Sequence, residues 1–256
     1  MKRASNFLWF LGSVGVFALL LFGWHLIAQS GMVSRVYLAP PDKAFAAITN
    51  GFTGPNGLGS SMWATVQRML YGWVLASMVG IVLGSIIGIS AIARIYLQPM
   101  LEFLRPLPAS AIVPLAIAFF GLSESMVLFV IAFGSFWPVL LAAVQGVSSV
   151  EPRLYEVARA LNMSRRETIW KIALPNALPD IFAGMRIGLA VALVLTVVGE
   201  FVGGQNGLGL EILRASRQFQ APRMFGGVIL LGVIGYSCAV IISNVERYLM
   251  RWRASR

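Results

Sequence analysis

Charge is the first thing this chain has little of. Of its 256 residues, 12% are Asp, Glu, Lys or Arg, against roughly 25% in an ordinary soluble domain. Cysteine occurs once, as Cys238 inside an apolar run, so an internal disulfide is excluded and the redox compartment stays undetermined. Histidine also occurs once. His25 sits near the end of the first apolar run, where packing or an interfacial position accounts for it better than chemistry. No His, Cys, Asp and Glu cluster has metal-ligand spacing, so no metal or other cofactor is expected. The pattern Gly-x4-Gly-Lys-Ser/Thr is missing too. The chain is therefore not expected to be an enzyme that hydrolyses ATP through a phosphate-binding loop.

What is present is hydrocarbon. Hydrophobic residues make up 58% of the chain, gathered into runs of about 20 residues, the length that crosses roughly 30 Å of bilayer core. The net charge of +10 could suggest nucleic acid, but no basic stripe is interleaved with aromatics. Lys and Arg gather instead at the ends of the apolar runs, where they orient membrane spans. The expected fold class is an all-α membrane protein with about six transmembrane helices.

Residues 1–60 read as an N-terminal transmembrane helix followed by a periplasmic segment. The first run, 7–28, is too long for the apolar part of a signal peptide. Residues 29–60 are polar and rich in Gly and Pro, with a stop at Pro40-Pro41 and Asp42 as N-cap of a short helix, 43–50. Residues 61–250 read as the main transmembrane domain, with spans near 62–92, 109–120, 126–147, 181–202 and 224–245. Residues 94–108 read as a polar break, and 203–223 as a polar, Gly-rich connection. Gly72, Ala76, Gly80, Gly84 and Gly88 recur every fourth residue and share one helix face. Small residues permit close backbone approach in lipid; packing within one chain is the favoured use, a subunit interface the other. The basic residues place both termini in the cytoplasm, although Arg214, Arg217 and Arg223 fall on the other side.

The segment 151–180 is organised differently. Leu154, Val157, Ala158 and Leu161 fall on one helical face. Asn162 then suits the left-handed residue that ends a helix. Ser164 and Glu167 fit a capping box for a second helix, which Pro175 is expected to end. A helix, a sharp turn and a helix have too small a core to stand alone, so this element must press on its own membrane helices or on another protein.

Glu156, Ala158, Asn162, Ile172, Leu174 and Pro175 resemble the "EAA" motif of ABC-importer permeases. That motif reads Glu-Ala-Ala, three residues, Gly, nine residues, Ile, one residue, Leu-Pro. Every spacing matches; Val157 and Asn162 depart in identity. Around the third span, Leu104-Arg105-Pro106-Leu107-Pro108, Ala111, Pro114-Leu115 and Phe119-Phe120-Gly121 are similar to the nitrate, taurine and aliphatic-sulfonate branch. So are Tyr37-Leu38-Ala39-Pro40-Pro41, Gly199-Glu200 and Gly207-Leu208-Gly209. The resemblance covers the chain from about residue 36 onward.

The resemblance implies a type I ABC-importer permease fold in a bacterial inner membrane, with 151–180 seated in a cleft of an ATP-binding subunit. It implies three partners: that ATPase subunit, a periplasmic or lipid-anchored solute-binding protein, and a second permease copy forming a homodimer. The solute would be a small anion such as taurine, an alkanesulfonate or nitrate. A thiamine precursor, riboflavin, bicarbonate or an aromatic acid are the alternatives within the branch, and a secondary transporter the alternative outside it. Three residues are candidates for the path or gate. Arg105 could meet an anionic solute or snorkel to headgroups. Pro114 could free a backbone carbonyl or simply kink a helix. Glu200 is an ionisable group near a helix end; it is read as gate structure, capping the Gly203-Gly204 turn or pairing with Arg214 or Arg217.

Overall fold

The computed structural model describes residues 2–34, 36–53, 57–104 and 106–251, and among these every element is helical. The chain runs through α1 (Lys2–Gln29), α2 (Pro41–Thr53), α3 (Leu58–Ile89) and α4 (Ala91–Leu104). A 3-10 turn, Ala109–Ile112, leads to α5 (Val113–Phe120) and α6 (Glu124–Ser148). Then come α7 (Pro152–Ala160), α8 (Arg165–Thr168), a π turn (Ile169–Ala173) and α9 (Leu174–Gly203). Helices α10 (Leu208–Arg217) and α11 (Ala221–Leu249) complete it. Among the described residues five helices are long and apolar enough to cross a membrane, or six if α4 and the 3-10 turn with α5 form one broken span.

The core is α6 held between α3 and α9. Where Gly72, Gly84 and Gly88 of α3 lack a side chain, an added Cβ would come within 2.5 Å of Ile131, 2.6 Å of Ala143 and 2.8 Å of Val147. The small-residue ladder therefore packs inside this chain. On the other side, Gly184 and Gly188 of α9 stand over the Pro138 and Ser135 carbonyls, where a Cβ would lie 2.7 and 3.0 Å from oxygen. Lipid offers no hydrophobic drive for helices to associate, so such close backbone approach supplies the dispersion contacts that do. Contacts that advance in step show α3 and α6 to be parallel, and contacts that advance oppositely show α6 and α9 to be antiparallel. The chain reversals then put the segment 151–173 at one end of the bundle and α2, α10 and the start of α11 at the other.

Several expectations change. The stretch 94–108 is largely helix, not a polar break. Ser90 caps it, its Oγ accepting the Ala93 N–H at 3.2 Å, and Arg94, Gln98 and Glu102 are simply the polar stripe of an amphipathic helix with no buried residue. The third span as read, 109–120, reduces to a 3-10 turn and the 8 residues of α5, too short to cross alone. Helix α2 begins at Pro41, so Asp42 lies in its first turn and is not the cap; its Oδ1 stands 3.8 Å from His25 Nδ1 of α1. The connection 203–223 contains α10. Midway along α9, Arg186 pairs with Glu246 of α11, a cation with no spacing signal in the sequence.

Gly84→Ala should lower the melting temperature of the purified protein, because the new methyl meets Ala143 and the Leu140 carbonyl, both at 2.6 Å. Overpacking of this kind costs about 1–3 kcal/mol. Gly232→Ala, with nothing within 4 Å of the new atom, should leave melting unchanged. Equal behaviour of the two variants in a thermal melt would refute the close-packing account.

Candidate functional site

Two constructions stand out, one at each end of the bundle. The first is the loop. Helix α7 closes on a pair of reversed hydrogen bonds: the Met163 N–H donates to the Ala158 carbonyl at 2.9 Å, and the Asn162 N–H to the Arg159 carbonyl at 3.0 Å. This is the bonding of a Schellman end, in which the first of the two donors is a left-handed residue. Asn162 supplies it with φ 50°. Ser164 and Glu167 then bond reciprocally. The Ser164 N–H donates to Glu167 Oε2 at 3.0 Å, and the Glu167 N–H donates to Ser164 Oγ at 3.2 Å. That backbone bond, with Lys171 and the Ser164 hydroxyl adding to it, holds the Glu167 carboxyl down to about 2. On α7, burial pushes the Tyr155 phenol up, against the pull of Arg94.

Pro175 does not end the second helix, contrary to the expectation. It lies in the first turn of α9, and the chain stays helical through it. A proline ring collides with the carbonyl four residues back and has no N–H to give. The turn before it widens to a π turn, in which the Leu174 N–H reaches the Ile169 carbonyl. One wide turn thus absorbs the proline and leaves a continuous helical rod from Arg165 to Gly203. Ile172 and Leu174 root it against Ala143, Val147, Ala177 and Ile181. Ala158 is buried, but its apolar neighbours are not: Val157 is 52% exposed, Leu161 67% and Trp170 71%. Glu156 is also exposed. The motif residues therefore divide into a buried root and an uncovered head.

The second construction surrounds Glu200, which is wholly buried. Arg68 of α3, only 6% exposed, donates from Nη1 to Glu200 Oε1 at 2.7 Å. The Thr65 hydroxyl donates to the same oxygen at 2.9 Å and accepts the Leu208 N–H at 2.8 Å. The Gly209 N–H donates to Oε2 at 2.8 Å. Arg68 also donates to the Asn206 carbonyl at 3.3 Å, while its Nε stands 3.6 Å from Glu124 at the start of α6, an ion pair too long for a hydrogen bond. Three helices thus converge on one carboxylate, and α6 reaches it only through Arg68. The spacing Gly207-Leu208-Gly209 follows from it: a Cβ on Gly207 would lie 2.2 Å from the carboxylate, and one on Gly209 2.8 Å away.

Glu200 therefore neither caps the Gly203-Gly204 turn nor pairs with Arg214 or Arg217; Arg214 pairs with Glu211 at 3.0 Å. Gly204 is left-handed at φ 62° and needs no side-chain cap. Pro114 occupies the first turn of α5, where N–H groups have no partner inside the helix to lose, so it frees no carbonyl. Arg105 lies outside the described residues. Arg68 and Thr65 were missed because they sit in an apolar span far from Glu200 in sequence. The one available signal was Arg68 itself, a cation where lipid forbids an unpaired charge.

This bundle superposes with a TM-score of 0.66 on a chain of the inward-facing MetNI methionine ABC transporter, covering 75% of this chain and 95% of that one at 17% identity. An amino acid ABC transporter aligns at a TM-score of 0.56. The fold is that of type I ABC-importer permeases. The chain belongs to the family of binding-protein-dependent transport system inner membrane components, whose model matches residues 76–254. It is 32% identical over 93% of its length, and 86% of the relative, to the putative aliphatic sulfonates transport permease protein SsuC of Bacillus subtilis. It is 30% identical over 94% of its length, and 89% of the relative, to the taurine transport system permease protein TauC of Escherichia coli. The bicarbonate transport system permease protein CmpB of Synechococcus elongatus is 28% identical over 89% of this chain and 85% of its own. The chain is thus a multi-pass permease subunit of an ABC importer, in a family of transport proteins and not of enzymes.

Removing Glu200 should strand the Arg68 charge. Glu200→Ala is expected to cost about 3–5 kcal/mol, the scale for breaking a buried pair. Gly207→Ala should also destabilise the protein, but much less in a Glu200→Ala background, where no carboxylate meets the new methyl. A double-mutant cycle on melting measures this coupling; additive costs would sink it. At the loop, Ser164→Ala should cost about 1 kcal/mol of local helix stability, seen as faster amide exchange over 165–168. Because Glu167 is held below its ordinary value of 4.5, its share of the cap is complete above that pH. It should fade as pH falls from 4.5 towards about 2; protection that is flat across this window would contradict the box.

Proposed function

We propose that this permease carries a small anion across a bacterial inner membrane, driven by a separate ATP-binding subunit that seats the loop 151–180. The observation that carries the coupling half is the loop's uncovered head, Val157, Leu161 and Trp170, on a rod continuous with α9. Apolar surface presented at the end of a membrane helix, outside the lipid, favours a protein partner. Glu156 at its edge, with Ala158, Asn162, Ile172, Leu174 and Pro175, forms the coupling element. The rod spans about 45 Å over the 30 residues of α9 at 1.5 Å each. The helix is unbroken from the loop to the Glu200 cluster, with Pro179 as its interior proline, so a push at the loop is carried along it to the far end.

With one loop per chain, two permease copies would meet two ATPase subunits, and a solute-binding protein would deliver at the opposite end. Both termini then lie in the cytoplasm. Lys2, Arg3, Arg94, Arg153, Arg159, Arg166 and Lys171 support this orientation by the excess of positive charge at the loop end. The anionic class rests on the relatives, named for sulfonates, taurine and bicarbonate. Movement of the rod would alternate access to the path, with Glu200 and Arg68 as part of the gate structure.

Glu156→Lys is the direct test. Because Glu156 is exposed, the variant should fold and melt as the parent does. It should lose co-purification with the ATPase subunit and lower uptake about ten-fold or more, which corresponds to about 1.4 kcal/mol or more of coupling. If association and uptake both survive, the loop is not the coupling element.

A further inference from the structure

At the end of the bundle away from the loop, α2, α10 and the first turns of α3 and α11 surround a cavity of about 1160 Å³. Lys43, Arg214, Arg223, Gln218 and Gln220 line it, with Glu211 as its carboxylate. Arg214 is paired with Glu211 at 3.0 Å. Lys43 and Arg223 have no ion-pair partner among the described residues, so the cavity keeps an excess of positive charge. A concavity with low-dielectric walls focuses such a field and raises the local concentration of small counter-ions.

Its volume exceeds the roughly 300–1,000 Å³ of a fitted ligand pocket, and its lining mixes apolar surface with side-chain amides, hydroxyls and cations. It suits a hydrated anion in passage more than a tightly held one. The floor is Ser61, whose hydroxyl donates to Asn206 Oδ1 at 3.3 Å. The backbone carbonyl of the same Asn206 accepts from Arg68. One residue therefore separates the cavity from the buried Arg68–Glu200 pair.

We infer that this cavity is a receiving site for a small free oxyanion, of the sulfonate or carboxylate class, held by Lys43 and Arg223 ahead of the gate. The inference rests on the reading of the protein as an anion permease and adds to it a site and two specificity-determining residues. A small anion fits better than an acidic protein surface, because the cations ring a concavity and do not stand on a flat face.

The test uses the assembled transporter in proteoliposomes with saturating binding protein and labelled taurine, ethanesulfonate and bicarbonate as probes. The double variant Lys43→Gln/Arg223→Gln changes two exposed side chains and leaves the core intact. It should lower the uptake rate of the accepted anion about ten-fold or more, the scale of losing hydrogen bonds to charged groups. Lys43→Arg/Arg223→Lys should restore it. Arg217→Gln, which removes an exposed cation of α10 that does not line the cavity, should change nothing. Unchanged uptake in the double variant overturns the site while leaving the anion reading in place. A loss confined to subsaturating binding protein and absent at saturation also overturns it, assigning both residues to docking. An equal loss in Arg217→Gln overturns it in favour of general surface charge. If the parent transporter accumulates none of the probes, the anion reading fails and the site falls with it.

Discussion

Helix α6 is covered on nearly every side, and the two helices that cover it approach it through glycine. In water, apolar burial would press such helices together whatever their side chains. In lipid that drive is missing, and the contact must come from surfaces that fit closely enough for dispersion to add up. The glycines of α3 and α9 provide the fit, and each fixes the height at which its helix meets α6. Once those heights are set, Arg68 and Thr65 on α3 come level with Glu200 on α9, and the start of α6 brings up Glu124. The ion pair depends on the packing, because a cation and a carboxylate would not be tolerated in the interior unless brought together.

The same packing gives the loop its mechanical character. A loop held only by its own two short helices would be a soft attachment. Here Ile172 and Leu174, both half-buried, pack against α6 and α9, and Pro175 is carried through a π turn that keeps the helix unbroken. Force applied to the exposed head therefore passes into a span already fixed at several points along its length. At the other end of that span the Glu200 carboxylate holds the Gly207-Leu208-Gly209 segment, and beyond it lies the cationic cavity. Loop, rod, buried pair and cavity form one line through the molecule. On the proposed function, energy enters at the loop and solute at the cavity, and alternating access needs such a connection between them.

The features legible in the sequence were those whose partners lie within a few residues. The left-handed turn at Asn162, the Ser164–Glu167 box and the small-residue ladder obey spacing rules, and spacing is visible in one dimension. The polar stripe of α4 is equally local, yet in one dimension its residues interrupt the apolar pattern, and only the helix gathers Arg94, Gln98 and Glu102 on one face. Pro175 was read as a stop, since a proline ordinarily ends a helix; a π turn widens the helix just enough to admit it.

What the sequence by itself determined is the solvent, the number of crossings to within one, and the hinge geometry of the loop. These follow from apolar run length and from backbone hydrogen bonds between near neighbours. Only the tertiary structure decided which charge answers Glu200, why Gly207 and Gly209 must lack side chains, and that Lys43, Arg214 and Arg223 share a cavity. Those contacts join residues far apart along the chain, and they exist only because close helix packing sets each residue's height in the bundle.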